Sequence, residues 1–250
     1  MDWGGMSREE YVEKFHKPQA GFYVSLGKQL RRLSRGSLVL DVGAGIGKVA
    51  ELARFETLDM RIKGIEPSSL HEIGMELALE LEADENTAVE YDSVNRSLTD
   101  YLFKPGGIDL VGFNFQGITF INSAHEVAIS SGGKDSFYEQ ITILSPHLDS
   151  GGFLIIGDPM FPDRFMMDPK QYAAQIDKLR GEQEAYWDHS HTAEELFTPA
   201  ELSRVLDGRG FQCLHTEVHQ NIDFLNFMRS RGYQGHDAQH QLFLAVYQKD

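Results

Sequence analysis

The sequence predicts an α/β fold, a Rossmann-like seven-stranded and mostly parallel sheet with helices on both faces and its last strand antiparallel. Three observations predict it. At 37–50 (SLVLDVGAGIGKVA) a short apolar strand breaks into Gly43, Gly45 and Gly47 and restarts as a helix. At 61–68 a second apolar strand stops at Glu66 and Pro67 before another helix. At 134–159 an amphipathic helix, a glycine turn and an apolar strand ending in Asp158 follow one another. Strands that alternate with helices pack as crossover units, and those crossovers make neighbouring strands parallel.

The elements follow in order. Residues 7–16 predict a helix, because Ser7 and Glu10 make a capping box and Tyr11 and Phe15 lie four apart on one face. Pro18 and Gly21 separate it from a second helix over 20–34, with Phe22, Leu26, Leu30 and Leu33 at helical spacing. The first strand takes its apolar side chains from Leu38, Val39, Leu40 and Val42. A helix is expected at 48–55, a strand at 61–65 and a helix at 68–82, capped by Ser68 or Ser69 after Pro67 stops the strand. The third strand, 87–91, ends at Asp92 and Ser93, and the fourth is expected at 108–113 (IDLVGF), with Asn114, Phe115, Gln116 and Gly117 at its carboxyl end. Helix 134–148 turns Phe137, Ile141, Leu144 and Leu148 inward, and the fifth strand is 151–159. The stretch 163–199 is longer than an ordinary connection and is rich in aromatics and methionine, with a helix over about 169–187. Helix 197–211 has Thr198 as cap, Pro199 in its first turn and Gly210 beyond its end. Strand 212–218, a helix at 222–231 and strand 241–248 complete the chain.

The glycine bend carries the chemistry. It brings bare backbone amides and the positive end of a helix up to a ligand. Its spacing is G-x-G-x-G, one residue tighter than the dinucleotide fingerprint G-x-G-x-x-G. Asp41, two residues before the first glycine, would repel a pyrophosphate lying on this bend and attract an amino group. Charge therefore favours a cationic cofactor.

VLDVGAGIGKVA resembles the first motif of class I S-adenosylmethionine-dependent methyltransferases of the small-molecule type, and IKGIEPS (62–68) resembles their second cofactor element. The resemblance covers nearly the whole chain, including the closing antiparallel hairpin. It implies that the bend from Asp41 through Gly43, Ala44, Gly45 and Gly47 holds the cofactor. It implies too that Glu66, beside Pro67, accepts from both ribose hydroxyls, which two carboxylate oxygens can do. Asp92 and Ser93 would reach the adenine amino group, and Asn114, Phe115 and Gln116 the methionine half. The leading helices and the insertion would wall the substrate, through Tyr11, Phe15, Tyr23, Met160, Phe161, Tyr186 and Trp187. Methyl transfer is an in-line displacement that needs alignment above all, and an oxygen acceptor also needs a base; Asp158 and His189 are the catalytic candidates. The product cofactor would be S-adenosylhomocysteine. On this reading the chain is one domain, with a helical cap (1–35), a cofactor-binding core (36–158), a lid insertion (159–199) and a closing helix with two strands (200–250).

Composition bounds the alternatives. A single cysteine, Cys213, excludes a disulfide within the chain and a cysteine-held iron–sulfur cluster. His189 and His191 lie two apart with no third ligand in view, so no metal site is expected. A net charge of −15 repels phosphate backbones, and the small basic group of Lys28, Arg31, Arg32 and Arg35 suits a solvated helix face better than a nucleic-acid stripe. No apolar run approaches the roughly 20 residues of a membrane span. The amino-terminal residues lack the apolar centre of a secretory signal, so a cytoplasmic protein acting on a small molecule, with neither membrane nor nucleic acid as partner, is expected. The oligomeric state stays open. The competing readings are an NAD(P)-dependent oxidoreductase on the same sheet and a non-catalytic cofactor-binding member.

Overall fold

β1 (Ser37–Val42) buries Val39 on one face and Leu40 and Val42 on the other. The computed structural model describes residues 7–33, 35–103, 114–160, 197–220 and 241–250. Among them are β2 (Asp59–Ile65), β3 (Ala88–Val94), β4 (Phe115–Ile121), β5 (Leu148–Met160), β6 (Phe211–Gln220) and β7 (Gln241–Lys249). The strand order is β3-β2-β1-β4-β5-β7-β6. β7 alone runs against its neighbours, antiparallel to β5 and to β6. The order reverses between β1 and β4, and a sheet of this kind opens its ligand crevice at the carboxyl ends of those two strands.

Two apolar cores sandwich the sheet. On one face α2 (Ala20–Leu30), α3 (Lys48–Phe55) and α4 (Leu70–Ala83) bring Phe22, Leu26, Leu30, Ala53 and Leu77 onto Val39, Ile62, Ile155 and Leu244. On the other, α5 (Leu98–Phe103), α6 (Ala124–Ser131), α7 (Lys134–Leu144) and α8 (Pro199–Asp207) bring Tyr101, Ala128, Phe137, Phe197 and Leu202 onto Leu40, Phe120, Ile156 and Phe243. β1, β2, β4, β5 and β7 supply both cores through alternating residues, so a register slip of one would exchange them. No helix among the described residues is long and apolar enough to cross a membrane.

Three expected boundaries are corrected. The described β4 is 115–121, the second of two consecutive apolar stretches; the first, 108–113, lies outside the described residues. α7 stops at Leu144 because Pro146 has no N–H for the ladder; the chain tightens into a 3-10 turn, Ser145–His147, and Leu148 opens β5. At the amino terminus α1 (Arg8–Tyr11) does start from the Ser7–Glu10 capping box. Beyond it a π-helical turn, Val12–His16, and a 3-10 turn, Lys17–Gln19, carry the chain straight into α2. Pro18 sits in that short first turn, where a missing N–H leaves no gap. The basic group of α2 serves the fold: Arg31 pairs with Glu56, Arg32 bonds Gln29 at 2.7 Å and Arg35 bonds Asp59 at 2.6 Å.

Candidate functional site

The bend after β1 is held from both sides. The N–H groups of Gly43 and Ala44 donate to the carbonyl of Ile65 at 2.8 and 3.1 Å, tying the bend to the end of β2. Gly43 has φ +69, and a Cβ there would lie 2.3 Å from that of Ser123, whose hydroxyl donates to the carbonyl of Val42 at 2.6 Å. Gly47 has φ +83, and a Cβ there would meet Leu77 at 2.7 Å. A side chain larger than hydrogen would be strained at either φ and would have to displace Ser123 at the start of α6, or the Leu77 and Tyr91 side chains.

Two acids flank this bend in one cavity. Glu66 is 7% exposed; its Oε2 accepts from the N–H of Gly45 at 2.9 Å and its Oε1 from the N–H of Ser68 at 2.8 Å. A carboxylate has about four lone-pair positions, so two remain for hydroxyl donors of a ligand. Asp41 is 1% exposed and faces Thr119 across the β1–β4 register; the Thr119 hydroxyl donates to its Oδ1 at 2.6 Å. Burial pushes the Asp41 carboxyl up to about 7, the Thr119 bond pulls the other way, and the charge of Glu66 adds to the rise. A cation brought into this cavity would therefore find a carboxylate that ionises readily in response.

The amino-terminal turns close the cavity from above. Tyr11, His16 and Tyr23 line it opposite Asp41 and Glu66. Arg8 anchors them, donating to Glu80 of α4 at 2.8 Å and to Glu51 of α3 at 3.4 Å. Lys48 pairs with Glu51 at 2.5 Å and stands 5.1 Å from the centre of the Tyr23 ring. On the β4 side the wall is Asn122, Ser123 and Glu126.

The expected site residues sort into groups. Asp41, Gly43, Ala44, Gly45, Glu66, Pro67, Tyr11 and Tyr23 come together around the cavity, with Gly47 closing the bend. The position expected for Asn114, Phe115 and Gln116 is corrected. They stand at the amino end of β4, on the edge of the sheet away from the bend. Phe115 is buried in the core, and Gln116 accepts from the N–H of Leu38 at 2.7 Å and donates to Asp149 at 2.5 Å. The carboxyl end of that strand is Asn122 and Ser123 instead. Asp92 and Ser93 lie inside β3 and do not line the cavity: Asp92 is exposed beside Lys63, and Ser93 bonds His71 at 3.0 Å. Met160 ends β5 inside the core.

Asp158 is not open to an acceptor. It is fully buried, and its two oxygens accept from the Nδ1–H and the backbone N–H of His125 at 2.8 and 2.9 Å. Burial raises its carboxyl, against the bonds from His125. It orients the first turn of α6, a positioning role. The side chain of Phe15, with Phe161, Tyr186, Trp187 and His189, lies outside the described residues. His215 and His219 do share a face of β6, at 3.4 and 3.5 Å from Glu217, yet no group of three or more potential ligands among the described residues is arranged to hold a metal ion. His16, Thr119, Asn122, Ser123 and His125 were not legible as site residues, because each matters through contacts that only folding brings about.

No family model matches the chain, and no curated protein matches it. Solved structures do. The chain is similar to a methyltransferase from Geobacter sulfurreducens crystallised with S-adenosylhomocysteine, at 14% identity over 98% of this chain and 99% of that one, with a TM-score of 0.61. A methyltransferase from Thiobacillus denitrificans, also in complex with S-adenosylhomocysteine, is 16% identical over 99% and 98%, with a TM-score of 0.58. Magnesium protoporphyrin IX methyltransferase from Synechocystis PCC 6803, with the same molecule bound, is 14% identical over 99% and 90%, with a TM-score of 0.58. The described residues have the fold of the S-adenosylmethionine-dependent methyltransferases.

Proposed function

We propose that the protein is an S-adenosylmethionine-dependent methyltransferase acting on nitrogen or oxygen of a small molecule. The observation that carries this reading is the cavity at the switch point, where Asp41 and Glu66 flank a bend whose three glycines hold positive φ and two of which, Gly43 and Gly47, lack room for a Cβ. These residues fit the cofactor by their donor and acceptor chemistry. Glu66 has lone pairs left for vicinal hydroxyls, and the buried Asp41, whose carboxyl is raised to about 7, ionises in favour of a cationic neighbour, whereas neither acid favours a dinucleotide's pyrophosphate. When bound, S-adenosylmethionine supplies a methyl group on a positively charged sulfur. Asp41, Glu66 and the bend from Gly43 to Gly47 would hold it, and what it would supply is that methyl for an acceptor's lone pair, the carbon–sulfur electrons returning to sulfur and the acceptor's proton passing to solvent.

The chain's own contribution is alignment and exclusion of water. The amino-terminal turns cover the cavity, Arg8 holds them down, and Tyr11 and Tyr23 give the acceptor side an aromatic wall. No covalent residue is needed. Calorimetry with S-adenosylhomocysteine and with NAD tests the cofactor: binding of the first and not the second is expected, and the reverse would overturn it. Transfer of labelled methyl from S-adenosylmethionine to a metabolite extract tests turnover; cofactor binding without any labelled product would make the protein a binding member and not an enzyme.

A further inference from the structure

We infer that the methyl acceptor is an amine and that His16 recognises it, an inference that rests on the methyl transfer proposed above. His16 closes the five-residue π-helical turn Val12–His16, a geometry that is rare and concentrated at functional sites. Its imidazole lines the same cavity as the glycine bend and is 7% exposed. Tyr11 and Tyr23 hold it edge-on, with ring centroids 5.3 and 4.9 Å away. Its Nδ1 has no hydrogen-bond partner among the described residues. A buried polar atom of that kind is costly until something bonds to it.

A second such atom lies on the other side of Tyr23. Asn122 donates through Nδ2 to Gln19 at 2.9 Å and to the Tyr23 hydroxyl at 3.2 Å, which leaves its Oδ1 buried and unpartnered. The residue is held at φ +54, so the end of β4 aims this amide in a backbone conformation few side chains adopt. Burial, with Lys48 and Arg8 close by, keeps the His16 ring neutral, so one of its nitrogens is an acceptor.

The Asn122 amide oxygen, and the His16 Nδ1 in the ring's Nε2–H tautomer, are two unmet acceptors on residues that line one cavity, and a ligand rich in N–H or O–H donors suits them. A hydroxyl brings one proton, whereas a neutral primary amine brings two and keeps the lone pair that takes the methyl; an amine arriving as ammonium first releases one proton to solvent. The charges select further. Asp41, Glu66 and Glu126 line the cavity, while Lys48 and Arg8, which lie close to His16, are ion-paired, the first to Glu51 and the second to Glu51 and Glu80, so the lining as a whole disfavours an anionic acceptor and admits a neutral amine. The aromatic wall of Tyr11 and Tyr23 tolerates a cation as well.

The test uses the full chain as wild type, His16→Phe and His16→Gln. Phenylalanine keeps the ring packing and removes the acceptor; glutamine restores an acceptor oxygen. S-Adenosylhomocysteine affinity is measured first by calorimetry in all three forms, so that each change in amine affinity is read relative to it. The loaded proteins are then titrated with a panel of primary amines and with alcohols of matching carbon skeleton, and labelled methyl transfer is followed on the same panel. At least one amine should bind and accept methyl where its alcohol does not, with affinity lowered about tenfold or more in His16→Phe and partly recovered in His16→Gln. Binding of the alcohols as well as the amines, binding of no amine, or equal amine affinity in His16→Phe would overturn the inference, as would an equal loss of S-adenosylhomocysteine affinity in that variant. Failure of the wild type to bind S-adenosylhomocysteine would instead overturn the cofactor reading, so the two failures are distinguishable.

Discussion

At the scale of single residues, Glu66 and Asp41 do different work. Glu66 is anchored by two backbone N–H donors, so its remaining lone pairs are fixed in direction before any ligand arrives. Glu66→Ala should lower S-adenosylhomocysteine affinity by about tenfold or more in calorimetry, since one charge-assisted hydrogen bond is worth about 1.5–3 kcal/mol. Asp41 and His16 make opposite contributions to stability against pH. Asp41, raised from 3.8 to about 7, holds a proton that the unfolded chain releases; its contribution is full at low pH and is lost as pH rises through 7. His16, lowered from 6.5 to about 3, refuses a proton that the unfolded chain takes up; its contribution is full above 6.5 and is lost as pH falls toward 3. The two offset each other in the weakly acidic range. Thermal melts of the unliganded protein between about pH 4.5 and 6.5 should therefore rise more steeply with pH in Asp41→Asn than in wild type, and less steeply or even fall in His16→Phe.

At the scale of elements, the amino-terminal turns are a cover held by few contacts. α1 is one turn long with no buried residue, and Arg8 is its tie to α3 and α4. Arg8→Ala should speed the release of S-adenosylhomocysteine several-fold in stopped-flow displacement, while melting of the unliganded protein changes by less than about 1 kcal/mol, as expected for partly exposed ion pairs. An unchanged release rate would detach α1 from the site. Most of the elements were readable from sequence. The bend of 37–50, the helix at 48–55, the capped start of α8 and the final strands follow from local spacing and capping, which act within a few residues. β4 was misplaced because two apolar stretches follow one another and both satisfy the strand pattern. Only pairing with β1, which sets Asp41 against Thr119 and Val39 against Gly117, chooses between them. That choice moved the cavity wall from Asn114 and Gln116 to Asn122 and Ser123.

At the scale of the whole molecule, a ligand that binds only the folded chain stabilises all of it. S-Adenosylhomocysteine at one hundred times its dissociation constant adds about 2.7 kcal/mol, which for a chain of this size raises the melting temperature by roughly 5–10 °C. Differential scanning fluorimetry should show that rise, and none with NAD at the same concentration. A rise with NAD alone would favour the oxidoreductase reading. The surface charge of −15 suits a small cationic partner better than an anionic one and agrees with the acids that line the cavity.

By itself the sequence determined the sheet class, the glycine bend and the two acids beside it, because each of these is written in contiguous residues whose spacing has one physical reading. Tertiary structure alone decided which residues face that bend from elsewhere. Thr119 under Asp41, Asn122 and Ser123 at the end of β4, the burial of Asp158 against His125 and the placing of His16 over the cavity all depend on contacts between residues far apart in the chain. Such contacts are set by register and packing, and neither leaves a local mark in the order of amino acids.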